Sequence, residues 1–501
     1  MNAKPQAILY TAVGVVLGSA FFLLAGCSDS IWIWLSHLVP QALRTDFLKI
    51  HWVLPLISCL VPLPLLFAFP YRYESGKRAF LAFTLSLCAL AGACLLYFGK
   101  TMVLQKMNAP DEWDFLAFWT FAQVGNSGSD FYKPEFFQLL KLPWTPSTGF
   151  VNETLKVGFL YPPITMFLFL PLAWLGVTQG FLLWYAAIFA AMAASIYLLW
   201  SYFLREEGFS GLLFSAALVL FFPSTKDIMY YGQTLFFALC ALLGFWRSRN
   251  AFKSGMALAF GLAIKPLFMI LVLVPVLKKS WRTLSGFAAT SFALGILAMA
   301  YFGLGTVLSY FTEKPASKLP LSVYVESVNQ SLSSFFLKLG FGPLGHSPAI
   351  TLPFVLVALI LVGITAWAVH RCPAEEYRWG LSLTIMLALL IYPGSQTHYG
   401  VLGLPALFMI WKYREKLPGG TGRIPFAIVS IYIADAFGFV LMGNLVLWSL
   451  VLAMSPGLPW SGQGEGPAPH RPDLAAVAGA GSMDSMNLRR AGASKGSSRS
   501  T

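Results

Sequence analysis

The densest chemistry in this chain lies between Lys100 and Pro163, the longest polar interval of an otherwise oily sequence. It opens on Asp111, Glu112, Trp113 and Asp114, runs through Asp130-Phe131-Tyr132 and closes on Phe159-Leu160-Tyr161-Pro162-Pro163. Carboxylates beside aromatics suit a hydroxyl-rich substrate. A carboxylate within reach takes a proton from a sugar hydroxyl, and a ring covers the apolar face of a sugar. Asp114 and Asp111 are therefore the candidate bases, and Trp113, Asp130 and Tyr161 candidate pocket residues. The same acids also read as a solvated loop, or as oxygen ligands for a divalent cation. No further ligands accompany them, so no metal or cofactor is indicated.

A second candidate is Lys265, the only charge near the middle of 254–277, where Pro266 follows it. A lysine inside an apolar segment is either snorkelling to an interface or functional. If a sugar leaves a lipid phosphodiester, the phosphate gains a second negative charge. A fixed cation stabilises that transition state more than the ground state. Gln233, Asn329 and Gln330 offer hydrogen bonds to sugar or phosphate, as much as they offer helix caps. His398 offers a phosphate contact or support for the base.

The elements that must position these residues are transmembrane. Of 501 residues, 57% are hydrophobic and 11% charged, against about 25% charged in soluble proteins. An all-α polytopic membrane protein is predicted. The net charge of +13 reflects basic loops between apolar runs rather than a nucleic-acid surface. Apolar runs long enough to span are 5–25, 52–70, 79–99, 179–203, 283–309, 351–369, 379–393, 399–412 and 424–455. Shorter apolar segments are 159–176, 211–223, 234–246 and 254–277.

The basic loops at 71–78, 247–253, 278–282, 371–378 and 412–416 all belong inside. That puts 100–158 outside as the catalytic loop and makes 159–176 a short helix dipping into the outer face. The 24 residues of 254–277 lie between two inside loops. Each arm could rise only about 18 Å as a helix, so a re-entrant hairpin with Lys265 near its tip is expected. With this topology Asp114, Gln233, Asn329 and His398 meet on the outer face.

The ends are less informative. Residues 1–78 hold two extra transmembrane helices, and Leu23-Leu24-Ala25-Gly26-Cys27 gives 1–27 a lipoprotein-like signal pattern. From Pro456 to Thr501 the composition is that of a disordered tail. The six cysteines are scattered and form no Cys-x-x-Cys pair, so neither disulfides nor zinc are indicated.

The order of motifs resembles glycosyltransferase family 87. Asp114, Asp130-Phe131-Tyr132, Phe159-Leu160-Tyr161-Pro162-Pro163, Tyr231-Gly232-Gln233, Gly261-Leu262-Ala263-Ile264-Lys265-Pro266, Asn329-Gln330-Ser331 and Tyr392-Pro393-Gly394-Ser395 ending in His398 carry the likeness over about 79–412. The resemblance implies a GT-C fold in 79–455 and an inverting transferase taking mannose from a polyprenyl-phosphate carrier to a glycan or glycolipid acceptor. It implies that the outer loop supplies the catalytic acid, best matched by Asp114, and that the late histidine, His398, has a role. It places the enzyme in the plasma or inner membrane with its site on the outer face. One departure is Ser395-Gln396-Thr397-His398-Tyr399, which has one histidine where family members show two and an acid. The rivals are a transporter or flippase of lipid-linked sugars, which would hold polar residues at the midplane within repeats, and a glycan polymerase or ligase.

Overall fold

The computed structural model describes residues 114–133, 157–248, 250–313, 319, 321–325, 329–344, 349–373, 377–413 and 440–456. Asp111, Glu112, Trp113, the segments expected to span before residue 100, the basic loop 71–78 and the tail from 457 lie outside them. The described residues are helical, with no named strand and one isolated bridge, Asn329 to Gln396.

Among the described residues, three helices are long and apolar enough to cross a membrane: Val177–Glu207, Trp281–Glu313 and Leu352–Arg371. The first comprises α2 (Val177–Leu199), a π turn (Trp200–Leu204) and a closing 3-10 turn. Preceding it is α1 (Asp114–Asn126). After it come α3 (Gly208–Phe221), α4 (Pro223–Tyr231), α5 (Leu235–Arg247) and α6 (Ala251–Ile264). A 3-10 stretch (Pro266–Val272) leads into α7 (Leu273–Leu277), and α8 is the long helix Trp281–Glu313, kinked at Gly303. Two short helices, α9 (Leu321–Val325) and α10 (Leu332–Lys338), precede α11 (Leu352–Arg371) and α12 (Tyr377–Ile391). A 3-10 turn (Thr397–Gly403), α13 (Leu404–Lys412) and α14 (Val440–Met454) complete the set.

Burial sorts these helices by place. Every residue of α12 from Trp379 to Leu390 is buried, as are Phe115–Ala122 of α1. A helix apolar all round belongs inside a bundle. By contrast, α8 exposes Phe292, Leu304, Leu308 and Phe311, and α11 exposes Leu356, Leu359 and Ile360. Exposed apolar faces of this kind on long helices suit contact with lipid. The segments 379–393 and 399–412, expected to span, are instead a 15-residue helix and a 9-residue helix joined by turns. Pro393 and Pro405 interrupt the ladder. Neighbouring helices, not lipid, cover both, so neither needs the length of a bilayer.

The segment 254–277 doubles back. Its start packs against the start of α8: a Cβ on Gly255 would stand 2.0 Å from the Thr283 carbonyl oxygen, and one on Gly286 would stand 2.2 Å from that of Phe252. Its end, α7, meets the start of α8 through the tight turn 278–280. Both ends of the hairpin therefore lie at one end of the bundle, with the break at Lys265-Pro266. The segment 159–176 is not the single short helix expected. It is a 3-10 turn (Pro163–Leu168) and one helical turn (Leu170–Ala173), because its prolines withhold backbone donors. It packs under α1, where Trp119 and Gln123 donate to the carbonyls of Leu175 and Ala173 at 3.1 and 2.9 Å.

Candidate active site

Asp114 is the first residue of α1 and half-buried. The helix dipole favours a negative charge there. Its Oδ2 accepts a hydrogen bond from Gln233 Nε2. Gln233 stands where it does because α4 ends on Gly232, in the left-handed conformation at φ 70°. The N–H groups of Gly232 and Gln233 both return to the Ile228 carbonyl, at 2.9 and 3.1 Å. The second of these bonds is the mark of a Schellman cap. From α2, Trp184 donates to the Gly232 carbonyl and Tyr185 to that of Met229, each at 2.7 Å. The cap is clamped, and the amide it carries is aimed at the carboxylate.

Lys265 closes the other side of that amide. Proline disfavours the helical region for the residue before it, and Lys265 accordingly leaves α6 extended, at φ −142° and ψ 122°. The side chain is 1% exposed. Its ammonium donates to Tyr161 Oη at 2.9 Å, Tyr399 Oη at 3.2 Å and Gln233 Oε1 at 3.3 Å. It also lies 4.5 and 4.7 Å from the ring centres of Tyr161 and Tyr399. Three donors meet three acceptors, with a ring on either side to replace lost hydration. Gln233 thus links a carboxylate to a cation, its N–H toward the acid and its oxygen toward the ammonium.

His398, 2% exposed, sits beside this chain, its ring 5.0 Å from that of Tyr399 and 6.2 Å from that of Tyr231. Among the described residues its imidazole makes no hydrogen bond. It is held from behind: Ser224 donates to the Thr397 carbonyl at 2.7 Å, and Thr397 Oγ1 donates to Asp227 Oδ2.

Asn329 and Gln330 join the late turn rather than the carboxylate. Gln330 N–H donates to the Ser395 carbonyl at 2.8 Å and Asn329 Nδ2 to that of Pro393 at 2.9 Å. Ser331 donates to Asn329 Oδ1 at 2.9 Å and caps α10 by accepting from Ser334 N–H. These residues fix the strand-like contact that sets 392–396 beside His398.

Asp130 is engaged at the wall. It accepts from Tyr132 N–H at 3.0 Å and from Ser309 Oγ at 2.5 Å, and Lys133 pairs with it at 3.8 Å. Tyr132 Oη in turn donates to the Tyr161 carbonyl at 2.8 Å. Asp130 is thus linked to Tyr161 by way of Tyr132.

Tyr399, Asp227 and Ser224 were not among the residues singled out from the sequence. Tyr399 was within reach, since it directly follows His398. Asp227 is a carboxylate in a mostly apolar interval, but nothing local says that it holds Thr397. Among the described residues, no three His, Cys, Asp or Glu gather closely enough to hold a metal ion.

Residues 159–393 match the model of glycosyltransferase family 87. The match includes Tyr161, Gln233, Lys265, Asn329 and Gln330; Asp114 and His398 fall outside it. No curated protein and no solved structure matches the chain.

Proposed function

For a membrane protein whose residues 159–393 form a glycosyltransferase family 87 domain, we propose a polyprenyl-phosphate sugar as donor, mannose as the sugar, and a glycan or glycolipid acceptor on the outer face. The domain makes the chain a membrane glycosyltransferase. The finer reading rests on one observation: a half-buried carboxylate and a buried ammonium share one amide, beside an imidazole that makes no hydrogen bond among the described residues.

In this reading Asp114 takes the proton of the acceptor hydroxyl as that oxygen attacks the anomeric carbon. Attack from the face opposite the carrier phosphate inverts the configuration. The bond from carbon to phosphate oxygen breaks, and its electron pair stays on the phosphate. Lys265 and His398 are the donors available to that growing charge. Lys265 would give up one tyrosine hydroxyl to reach it, and the hairpin tip is a fitting place for that exchange. Gln233 keeps the acid and the cation apart, so that neither neutralises the other.

The test is transfer of label in membranes containing the full-length chain. Label from polyprenyl-phosphate mannose should pass to a lipid or glycan product, and label from a nucleotide sugar should not. Transfer from the nucleotide sugar alone would refute the donor assignment.

A further inference from the structure

A cavity of about 140 Å³ lies at the opposite end of the bundle; Tyr202, Arg378, Trp379, Lys412 and Tyr413 line it together with Trp246. Trp246 leads through a short turn into α6, whose 14 residues carry the chain about 21 Å before Lys265 is reached. The transfer chemistry has no use for this end.

Three cations gather at the cavity. Arg378 and Lys412 line it, and the Arg247 guanidinium lies 5.4 Å from the centre of the Tyr202 ring. Among the described residues none of the three has a carboxylate partner. Lys412 spends one donor on the Tyr202 carbonyl, at 3.5 Å. Among the described residues the buried phenolic oxygen of Tyr202 has no hydrogen-bond partner, which is unfavourable unless something else supplies one. Tyr202 also belongs to the π turn Trp200–Leu204, a backbone distortion frequent at functional sites. Positive charge with no carboxylate partner among the described residues, a buried hydroxyl with no hydrogen-bond partner there, and aromatic walls suit an anion carrying an apolar body. At this end α2 exposes Tyr197, five residues before Tyr202, and α3 exposes Phe209, apolar surface on which acyl chains can lie.

We propose that this cavity binds the phosphate of an anionic membrane phospholipid. Arg378 and Lys412 pair with the phosphate, Tyr202 donates to it, and the rings of Trp379 and Tyr413 cover the glycerol. Basic pockets between membrane helices hold anionic headgroups in this way.

Native mass spectrometry of the full-length protein, released from nanodiscs of equal phosphatidylglycerol and phosphatidylcholine, tests it. Wild type should retain phosphatidylglycerol over phosphatidylcholine by about tenfold or more. The Arg378→Gln/Lys412→Gln variant should lose that preference, and Tyr202→Phe should weaken it with both charges intact. Equal retention of the two lipids by wild type would overturn the proposal, without reference to any variant. So would a preference that survives both substitutions. Displacement of phosphatidylglycerol by inorganic phosphate at matched concentration would assign the site to a free anion and overturn the lipid as its ligand.

Discussion

Asp114 and Lys265 stand on opposite sides of one glutamine amide, and each residue has a separate expected signature. A positioned base contributes typically about 10²–10⁴-fold. Asp114→Asn keeps the size and the bond to Gln233 available, so it should lower turnover by that factor. The variant should still fold and bind donor, which ligand-dependent thermal shifts would report. Turnover near wild type would remove Asp114 from the chemistry. Lys265→Met keeps length and loses charge. Because the second phosphate charge appears only as the glycosyl bond breaks, kcat should fall more than acceptor KM rises, with Lys265→Arg partly active. The same change leaves two tyrosine hydroxyls and the Gln233 oxygen short of a donor. Thermal stability must therefore be measured on the same samples. Unchanged kcat in a folded Met variant would reduce Lys265 to a structural cation.

At the scale of elements, the hairpin delivers Lys265, and its base depends on two glycines. A methyl group at Gly255 or Gly286 would run into backbone, at 2.0 and 2.2 Å. Backbone cannot move aside as a flexible side chain can. Gly255→Ala and Gly286→Ala should each cost about 1–3 kcal/mol, seen as a lower melting temperature in detergent. Gly295→Ala in the same helix α8 meets nothing within 4 Å and should be neutral or slightly stabilising. If all three variants melt alike, α6 and α8 do not pack as described.

The hairpin was legible in the sequence because length and charge decide it. Two basic loops and 24 residues leave no room for two crossings. Lys265-Pro266 was legible as the break because proline acts on its neighbour locally. The burial of α12 was not legible. From Trp379 to Leu390 it carries no charge and mostly apolar side chains, and composition alone does not distinguish helix neighbours from lipid. Nor was the splitting of 159–176, since prolines foretell an interruption but not which turns follow it.

For the whole molecule, sidedness is the remaining expectation. Charge asymmetry predicts position 77 inside and position 128 outside. Cysteines introduced singly at these sites, treated with an impermeant reagent in intact cells, should label at 128 only. Labelling at 77 but not at 128 would invert the proposed topology and move the transfer to the other face. Convergence of the site was legible in kind, since the topology brought Asp114, Gln233 and His398 to one side. The partners were not. Ser224 with Thr397 and Asp130 with Ser309 are pairs 173 and 179 residues apart, and no local pattern announces them.

The central claim is that this chain transfers a sugar from a lipid carrier with Asp114 as base. Mass spectrometry of glycolipids and glycans, from cells with the wild-type chain, the Asp114→Asn chain or neither, tests it most directly. The account predicts a product heavier by one hexose with wild type, and its absence with Asp114→Asn at equal protein in the membrane. The same product in both would contradict the role of Asp114. Identical profiles in all three, with the wild-type protein folded in the membrane of a cell that makes polyprenyl-phosphate mannose, would contradict the mannosyl transfer itself.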